Sequence, residues 1–163
     1  GVHITGIDIS KNMLEIGRKK VEKKGLEKQI KLELADSENL PFENESFDAI
    51  TAGFGVRNFE NLQLGLSEMR RVLKKDGIVV ILEPSKPKYF PIKQIYSAYF
   101  YHILPFFGQL ISKDKRAYNY LPESVDAFPK NEKFIEILKE VGFRKVKYLP
   151  LTLGIVSLYI AIK

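Results

Sequence analysis

Short apolar runs alternate along this chain with stretches whose apolar positions recur at helical spacing. Val2-His3-Ile4-Thr5-Gly6-Ile7-Asp8 predicts a buried strand ending on an acid. Ser10 then reads as an N-cap, with Met13, Leu14, Gly17 and Val21 repeating as a helix up to Gly25. Residues 30–35 predict a second strand closed by Asp36, and residues 47–52 a third. Asn61 reads as the cap of a helix whose apolar face carries Leu62, Leu66, Met69 and Leu73. Residues 77–83 are almost uninterruptedly apolar, as expected of a parallel strand covered on both faces. Asn131 to Val141 predicts a further capped helix ending at Gly142, and two strands follow over 145–149 and 155–162. The link between those two is too short for a parallel crossover, so they predict an antiparallel hairpin. The whole reads as α/β, one sheet with helices on both faces.

The middle of the chain departs from this rhythm. Residues 94–112 hold no Lys, Arg, Asp or Glu, yet include Tyr96, Tyr99, Phe100, Tyr101, Phe106 and Phe107. Nineteen uncharged residues reach the length of a membrane span. Gln94, Ser97, His102, Pro105, Gly108 and Gln109 are scattered through them, however, and make the run amphipathic. A lid helix over an apolar pocket and an interfacial helix at a membrane surface are the readings left beside a span.

Composition narrows the chemistry more than the fold. At 163 residues the chain is long enough for one domain with a hydrophobic core. Its apolar and charged fractions, 45% and 28%, are those of a globular protein. It has no cysteine, which removes disulfides, thiolate metal sites and cysteine nucleophiles. With only His3 and His102, a histidine-built metal site is not expected either. The net charge of +6 concentrates in residues 18–24, but that run carries Glu22 and reads as the solvated face of a helix, not as a nucleic-acid interface. No signal or transit sequence opens the chain, and with zero cysteine an intracellular protein is expected.

In a wound α/β sheet, ligands bind beyond the carboxyl ends of the strands. Asp8 ends the first strand, where an acid accepts from ribose hydroxyls. Asp36-Ser37 ends the second and suits an adenine amine, with Met13 or Leu40 against the ring. Gly53-Phe54-Gly55 follows the third and lets a ligand approach the backbone, and Glu83-Pro84-Ser85 ends the fourth. Singly, each acid is also an ordinary turn or cap residue.

These residues also carry a resemblance. Asp36-Ser37-Glu38-Asn39-Leu40-Pro41-Phe42, followed by Phe47-Asp48, resembles the adenine-site segment of Rossmann-like S-adenosylmethionine-dependent methyltransferases. Phe54-Gly55-Val56-Arg57-Asn58, the stretch from Arg71-Val72-Leu73-Lys74 to Leu82-Glu83-Pro84-Ser85-Lys86-Pro87, and Tyr118-Asn119-Tyr120-Leu121-Pro122-Glu123-Ser124 resemble signature segments of the C-methyltransferases of ubiquinone and menaquinone biosynthesis. Residues 99–108, with His102 and Leu104-Pro105, resemble the same family, so the likeness runs through the whole chain. Two departures stand out. Lys75-Asp76-Gly77 replaces the family's usual Pro-Gly-Gly, and the glycine-rich loop that ends the family's first strand and cradles the methionine end of the cofactor does not occur.

The resemblance implies a methyltransferase domain over 1–163 that lacks its first strand, with 86–128 as an aromatic-rich substrate-side insertion. It implies a strand order 3-2-1-4-5-7-6 whose central strand is missing, so that the strands at 2–8 and 47–52 keep unpaired inner edges. It implies S-adenosylmethionine as cofactor, bound by Asp8 at the ribose, Asp36 and Ser37 at the adenine, and Met13 and Gly53 along its sides. It implies a polyprenylated quinol as substrate, with Arg57, Asn58 and His102 as catalytic residues. Arg57 also reads as the partner of a nearby carboxylate, Asn58 as a helix-start cap, and His102 as a satisfied pocket residue. The substrate's isoprenoid tail implies a cytoplasmic enzyme touching the inner face of a membrane, and a homodimer is left open. The alternative is a methyltransferase-like domain unable to hold the cofactor. A nicotinamide-dinucleotide binder fits Asp8 but not the terminal hairpin.

Overall fold

The structure, a computed structural model, describes residues 1–103 and 115–163; the side chains of 102, 115–119 and 121 are outside it. Its strands are β1 (Ile4–Asp8), β2 (Ile30–Leu34), β3 (Phe47–Gly53), β4 (Leu73–Pro84), β5 (Arg144–Leu151) and β6 (Val156–Ile162). Its helices are α1 (Lys11–Lys23), α2 (Leu62–Val72), α3 (Ile92–Ala98), α4 (Lys115–Ala127) and α5 (Glu132–Glu140). A 3₁₀ turn (Val56–Asn58) follows β3, and a π-helical segment (Tyr99–Ile103) continues α3.

The strands form two pieces of sheet. β1 pairs with β2 in parallel, while β3, β4, β6 and β5 make a second sheet in that order. β3 and β4 are parallel, and β6 runs antiparallel to both β4 and β5, which gives the expected terminal hairpin. The single sheet read from the pattern is therefore divided between β1 and β3, where the resemblance places its missing central strand. The backbone alternation identifies the unpaired groups. Ile4 N–H donates to Gln29 (2.8 Å) and Asp8 C=O accepts from Ala35 (3.2 Å), so alternate residues face β2 and the groups of Thr5 and Ile7 point the other way. On β3, Phe54 N–H donates to Leu82 (2.8 Å), which turns the groups of Thr51 away from β4.

The core lies on one face of the larger sheet. Val79 and Ile81 of β4, with Tyr159 and Ala161 of β6, pack against Leu66 and Met69 of α2 and Phe134 and Leu138 of α5. The residues on the other face of β4, Ile78, Val80 and Leu82, stay half-buried or exposed. β4 starts earlier than the apolar run, directly at the end of α2. Residues 74–77 bulge out between the Phe47–Leu73 and Ala49–Ile78 pairs. Gly77 is required at this bulge, since a Cβ would lie 2.9 Å from the Lys74 carbonyl.

The helix caps follow the sequence at two of three places. Ser10 Oγ accepts from Met13 N–H (3.4 Å) and Asn61 Oδ1 from Leu64 N–H (3.1 Å). Asn131 does not cap α5 with its side chain: at φ 45°, ψ −98° its backbone is not the extended one of a cap, and the side chain makes no capping hydrogen bond. Gly142, at φ +100°, ends α5 as expected. Of the uncharged run, residues 104–112 lie outside the described residues. Among those described, no helix is long and apolar enough to cross a membrane.

The divided sheet makes a direct prediction. In the 1–163 polypeptide, amide hydrogen exchange followed by NMR is expected to leave Thr5, Ile7 and Thr51 far less protected than Gly6, Ile50 and Ala52. Equal protection in the two sets would mean that a strand covers the inner edges.

Candidate functional site

Four strand ends supply the candidate groups, and they fall into two clusters. The first is at the ends of β1 and β2. Asp8 Oδ1 accepts from Ser10 N–H (2.7 Å), and the Asp8 carbonyl accepts from Ala35, next to Asp36. Asp36 Oδ1 accepts from Glu38 N–H (2.9 Å) in a turn closed by Asn39. Each aspartate thus spends one oxygen on its own turn and keeps Oδ2 as an acceptor. Met13 stands on the first turn of α1 with its side chain 55% exposed, and Ser37 is half-buried.

The second cluster is at the ends of β3 and β4. At Gly53 a Cβ would meet nothing within 4 Å, so open space borders this strand end. Phe54 follows at φ 59° with its ring exposed. Glu83, the next-to-last residue of β4, is fully buried beside the 3₁₀ turn. Its Oε1 accepts from Val56 N–H (2.7 Å) and Arg57 N–H (3.3 Å), and its Oε2 pairs with Arg57 Nη1 at 3.2 Å. Burial pushes the Glu83 carboxyl above its ordinary value, against the opposing pull of Arg57. Arg57 also donates from Nη1 to the Phe54 carbonyl and from Nε to Ser124 Oγ (3.3 Å) on α4. Asn58 Oδ1 accepts from the Tyr120 hydroxyl of α4 (2.8 Å).

Arg57 is therefore the partner of a nearby carboxylate, as one reading of the sequence had it. Asn58 is bound to α4 and caps no helix; Asn61 has that role. The backbone of His102 lies in the π-helical segment, and its side chain lies outside the described residues.

The loop between the clusters is held by α2 through residues that sequence reasoning missed. Glu38 Oε1 accepts from Asn61 N–H (3.0 Å), at the start of α2. Glu68 Oε2 accepts from Leu40 N–H (2.9 Å), and Arg71 donates to the Leu40 (2.9 Å) and Phe42 (2.7 Å) carbonyls while bridging to Glu68. Segment 36–42 is thereby fixed to the helix that packs on the core. The pairs are separated by more than 20 residues, so no local spacing announces them. Glu83 did carry a signal: an acid closing an apolar strand needs a partner.

The parallel β1–β2 and β3–β4 pairs, flanked by helices and closed by an antiparallel hairpin, give a Rossmann-like α/β fold. A sequence profile of the ubiE/COQ5 methyltransferase family matches residues 1–163, and the chain belongs to that family. It is 47% identical over 160 residues to a demethylmenaquinone methyltransferase of Bacteroides fragilis, covering 98% of this chain and 65% of the relative. It is 43% identical to the demethylmenaquinone methyltransferase of Chlorobaculum tepidum, over 100% of this chain and 65% of the relative. To the ubiquinone/menaquinone biosynthesis C-methyltransferase UbiE of Geotalea daltonii it is 45% identical, over 97% and 67%. The chain thus spans 65% of the length of the first of these relatives. Among solved structures, an S-adenosylmethionine-dependent methyltransferase from Aquifex aeolicus superposes with a TM-score of 0.69 at 17% identity, over 98% of this chain and 68% of that one. The cyclase SpnF gives the same score at 16% identity, over 99% and 66%. At such identities the likeness is one of fold, and the cyclase shows that the fold alone sets no reaction.

The Glu68 clamp gives a prediction. Arg71's hydrogen bond holds the Glu68 carboxyl below its ordinary value. A carboxyl lowered in the folded state adds stability that is full above its unfolded pKa and is lost as pH falls through the folded one. Glu68→Gln is expected to cost about 0.5–1 kcal/mol at neutral pH, since the pair is partly screened by solvent and the amide oxygen still accepts. It should also flatten the decline in stability below about pH 4.5, in urea titrations across pH. Unchanged stability and an unchanged acid limb would remove the clamp from the account.

Proposed function

We propose that the protein is an S-adenosylmethionine-dependent C-methyltransferase acting on the ring of a polyprenylated quinol. The observation that carries this reading is the 47% identity to a demethylmenaquinone methyltransferase over 98% of the chain. The strand ends support it with the right donors and acceptors. Ribose hydroxyls and an adenine amine are donors, and Asp8 and Asp36 each present an acceptor oxygen toward them. Met13 offers an exposed apolar side chain to a purine face, Ser37 flanks the adenine, and the space beside Gly53 admits the cofactor's middle. The residues of this chain address the adenosine half of S-adenosylmethionine. When bound, that cofactor supplies a methyl group on a sulfonium, open to displacement in line with the sulfur.

The remaining work falls to the second cluster. Once the phenolic proton has left to water, a quinol ring carbon ortho to the phenolate is a carbon nucleophile, because the ionised oxygen feeds electron density into the ring. Arg57 donates to that oxygen. Its Nε and Nη1 are engaged by Ser124, Phe54 and Glu83, which fix the guanidinium and aim Nη2. Glu83 also offsets the charge of Arg57, so its contribution is that of a directed donor, of the oxyanion-hole kind, more than of a bare cation. Asn58 orients the substrate beside it, tied to α4 through Tyr120. The ring proton leaves afterwards to water or to His102. Residues 86–128 form the substrate side, and a cytoplasmic protein working at the inner face of a membrane fits a substrate with an isoprenoid tail.

Methyl transfer from S-adenosylmethionine to a demethylated quinol, read by product mass in the full protein, tests the reading. Asp8→Ala is expected to weaken cofactor binding in calorimetry by about 2 kcal/mol, the scale of hydrogen bonds to a charged group. Arg57→Ala is expected to lower turnover by roughly 10²–10³, with cofactor affinity nearly unchanged. Arg57→Lys should not restore it, since an ammonium cannot bridge the same partners. No methylated product with intact cofactor and quinol would overturn the proposal. Collapse of cofactor affinity in Arg57→Ala would make Arg57 a cofactor ligand.

A further inference from the structure

Gly53-Phe54-Gly55 links β3 to the 3₁₀ turn that carries Arg57. The residue of this run in the left-handed region is Phe54, at φ 59°, while the two glycines, which could adopt it freely, lie outside it. A bulky aromatic side chain is rarely found there, and among the described residues Phe54 is the one aromatic with such backbone. Its conformation is fixed from both sides. The Phe54 N–H donates to the Leu82 carbonyl of β4 (2.8 Å), and its carbonyl accepts from Arg57 Nη1, which the buried Glu83 holds in turn.

The residue gains little from the fold in return. It is 47% exposed and belongs to neither hydrophobic cluster of the described residues. A Cβ added at Gly53 or at Gly55 would meet nothing within 4 Å, so open space adjoins Phe54 on both sides. Glycine at position 54 would remove the strain and the exposed ring together. Strained backbone that its surroundings enforce is concentrated at ligand sites. Here it presents an aromatic side chain next to the space beside Gly53, on a residue whose own carbonyl is bonded to the Arg57 guanidinium. Aromatic rings attract one another in offset or edge-on contact, so a planar ring that places an oxygen at Arg57 has Phe54 as its neighbour.

We propose that the Phe54 ring is the surface against which the aromatic ring of the substrate packs, holding its plane while Arg57 holds its oxygen. The proposal deepens the quinol reading and rests on it. It adds a binding residue whose contact is the same before and during methyl transfer, so it governs KM more than turnover.

Steady-state kinetics of the full protein with a short-tailed demethylated naphthoquinol test it, with cofactor affinity read by calorimetry and melting temperature by circular dichroism. Phe54→Gly is expected to raise the quinol KM roughly tenfold, with turnover at saturation within about threefold of the parent. Cofactor affinity should not change. The melting temperature should stay within about 3 °C of the parent, because relief of the left-handed strain offsets the lost ring. Phe54→Leu keeps the strain and the apolar bulk without the aromatic face, and should raise KM roughly fivefold. Phe54→Tyr keeps the face and should stay within about twofold of the parent. These two variants carry the test should Phe54→Gly misfold. An unchanged KM in Phe54→Gly and Phe54→Leu would overturn the proposal. So would a marked loss of cofactor affinity, which would set the ring against the cofactor. A fall in melting temperature of more than about 10 °C with KM unaltered would also overturn it, and would make Phe54 a packing residue. A parent that methylates no quinol overturns the quinol reading and this proposal together; a parent that does, with variants that match it, removes Phe54 alone.

Discussion

The carboxylate of Glu83 is the point on which the second half of the site depends. It closes β4, is fully buried, and among the described residues is satisfied by the turn that follows β3: two backbone amides and the guanidinium of Arg57. A buried carboxylate without such partners is strongly disfavoured, so the turn must sit where it does. The turn in turn carries Arg57 to Ser124 and Asn58 to Tyr120, and these two contacts place α4 against the end of the sheet. One charge thus joins two strands, a 3₁₀ turn and, through Arg57, a helix residue 67 positions along the chain from that arginine. It also alters what Arg57 does: a guanidinium held from three sides offers a fixed direction in place of a mobile positive charge.

The first half of the site is organised differently. Asp8 and Asp36 lie on a two-stranded piece of sheet whose helix, α1, buries only Leu14 completely. Two strands alone hold little stability. The loop that leaves them is instead secured to α2 by Glu38, Glu68 and Arg71, which reach backbone groups where hydrophobic contact is sparse. The residues of the first cluster therefore depend on polar clamps, and those of the second on a buried ion pair.

Much of this was legible in the sequence, for identifiable reasons. Apolar periodicity places α1, α2 and α5 and all six strands, but only β4 and β6 among the strands bury residues fully, and the first strand, expected to be buried, is half-exposed. The short link at 150–155 sets the terminal hairpin, and the acids closing apolar runs mark the strand ends. The split in the sheet followed from the resemblance, not from the pattern, since a strand's neighbours are not written in its own residues. Asn131 misled because a cap requires extended backbone as well as a suitable side chain, and its φ is positive. The Glu68–Arg71 clamp and the α4 contacts of Arg57 and Asn58 join residues far apart in the chain, and only the packed fold brings them together.

The central claim is that Glu83 is a buried carboxylate whose principal countercharge is Arg57, and a pH titration of the Glu83 side-chain carboxyl carbon by NMR tests it most directly. It is expected to titrate above the ordinary carboxylate range in the parent protein, because burial opposes its ionisation. In Arg57→Ala it should move higher still, since the pull toward the charged form is gone. An ordinary value that does not respond to Arg57→Ala would contradict the account: Glu83 would then be solvated, and the turn that carries Arg57 and Asn58 would be held by something else.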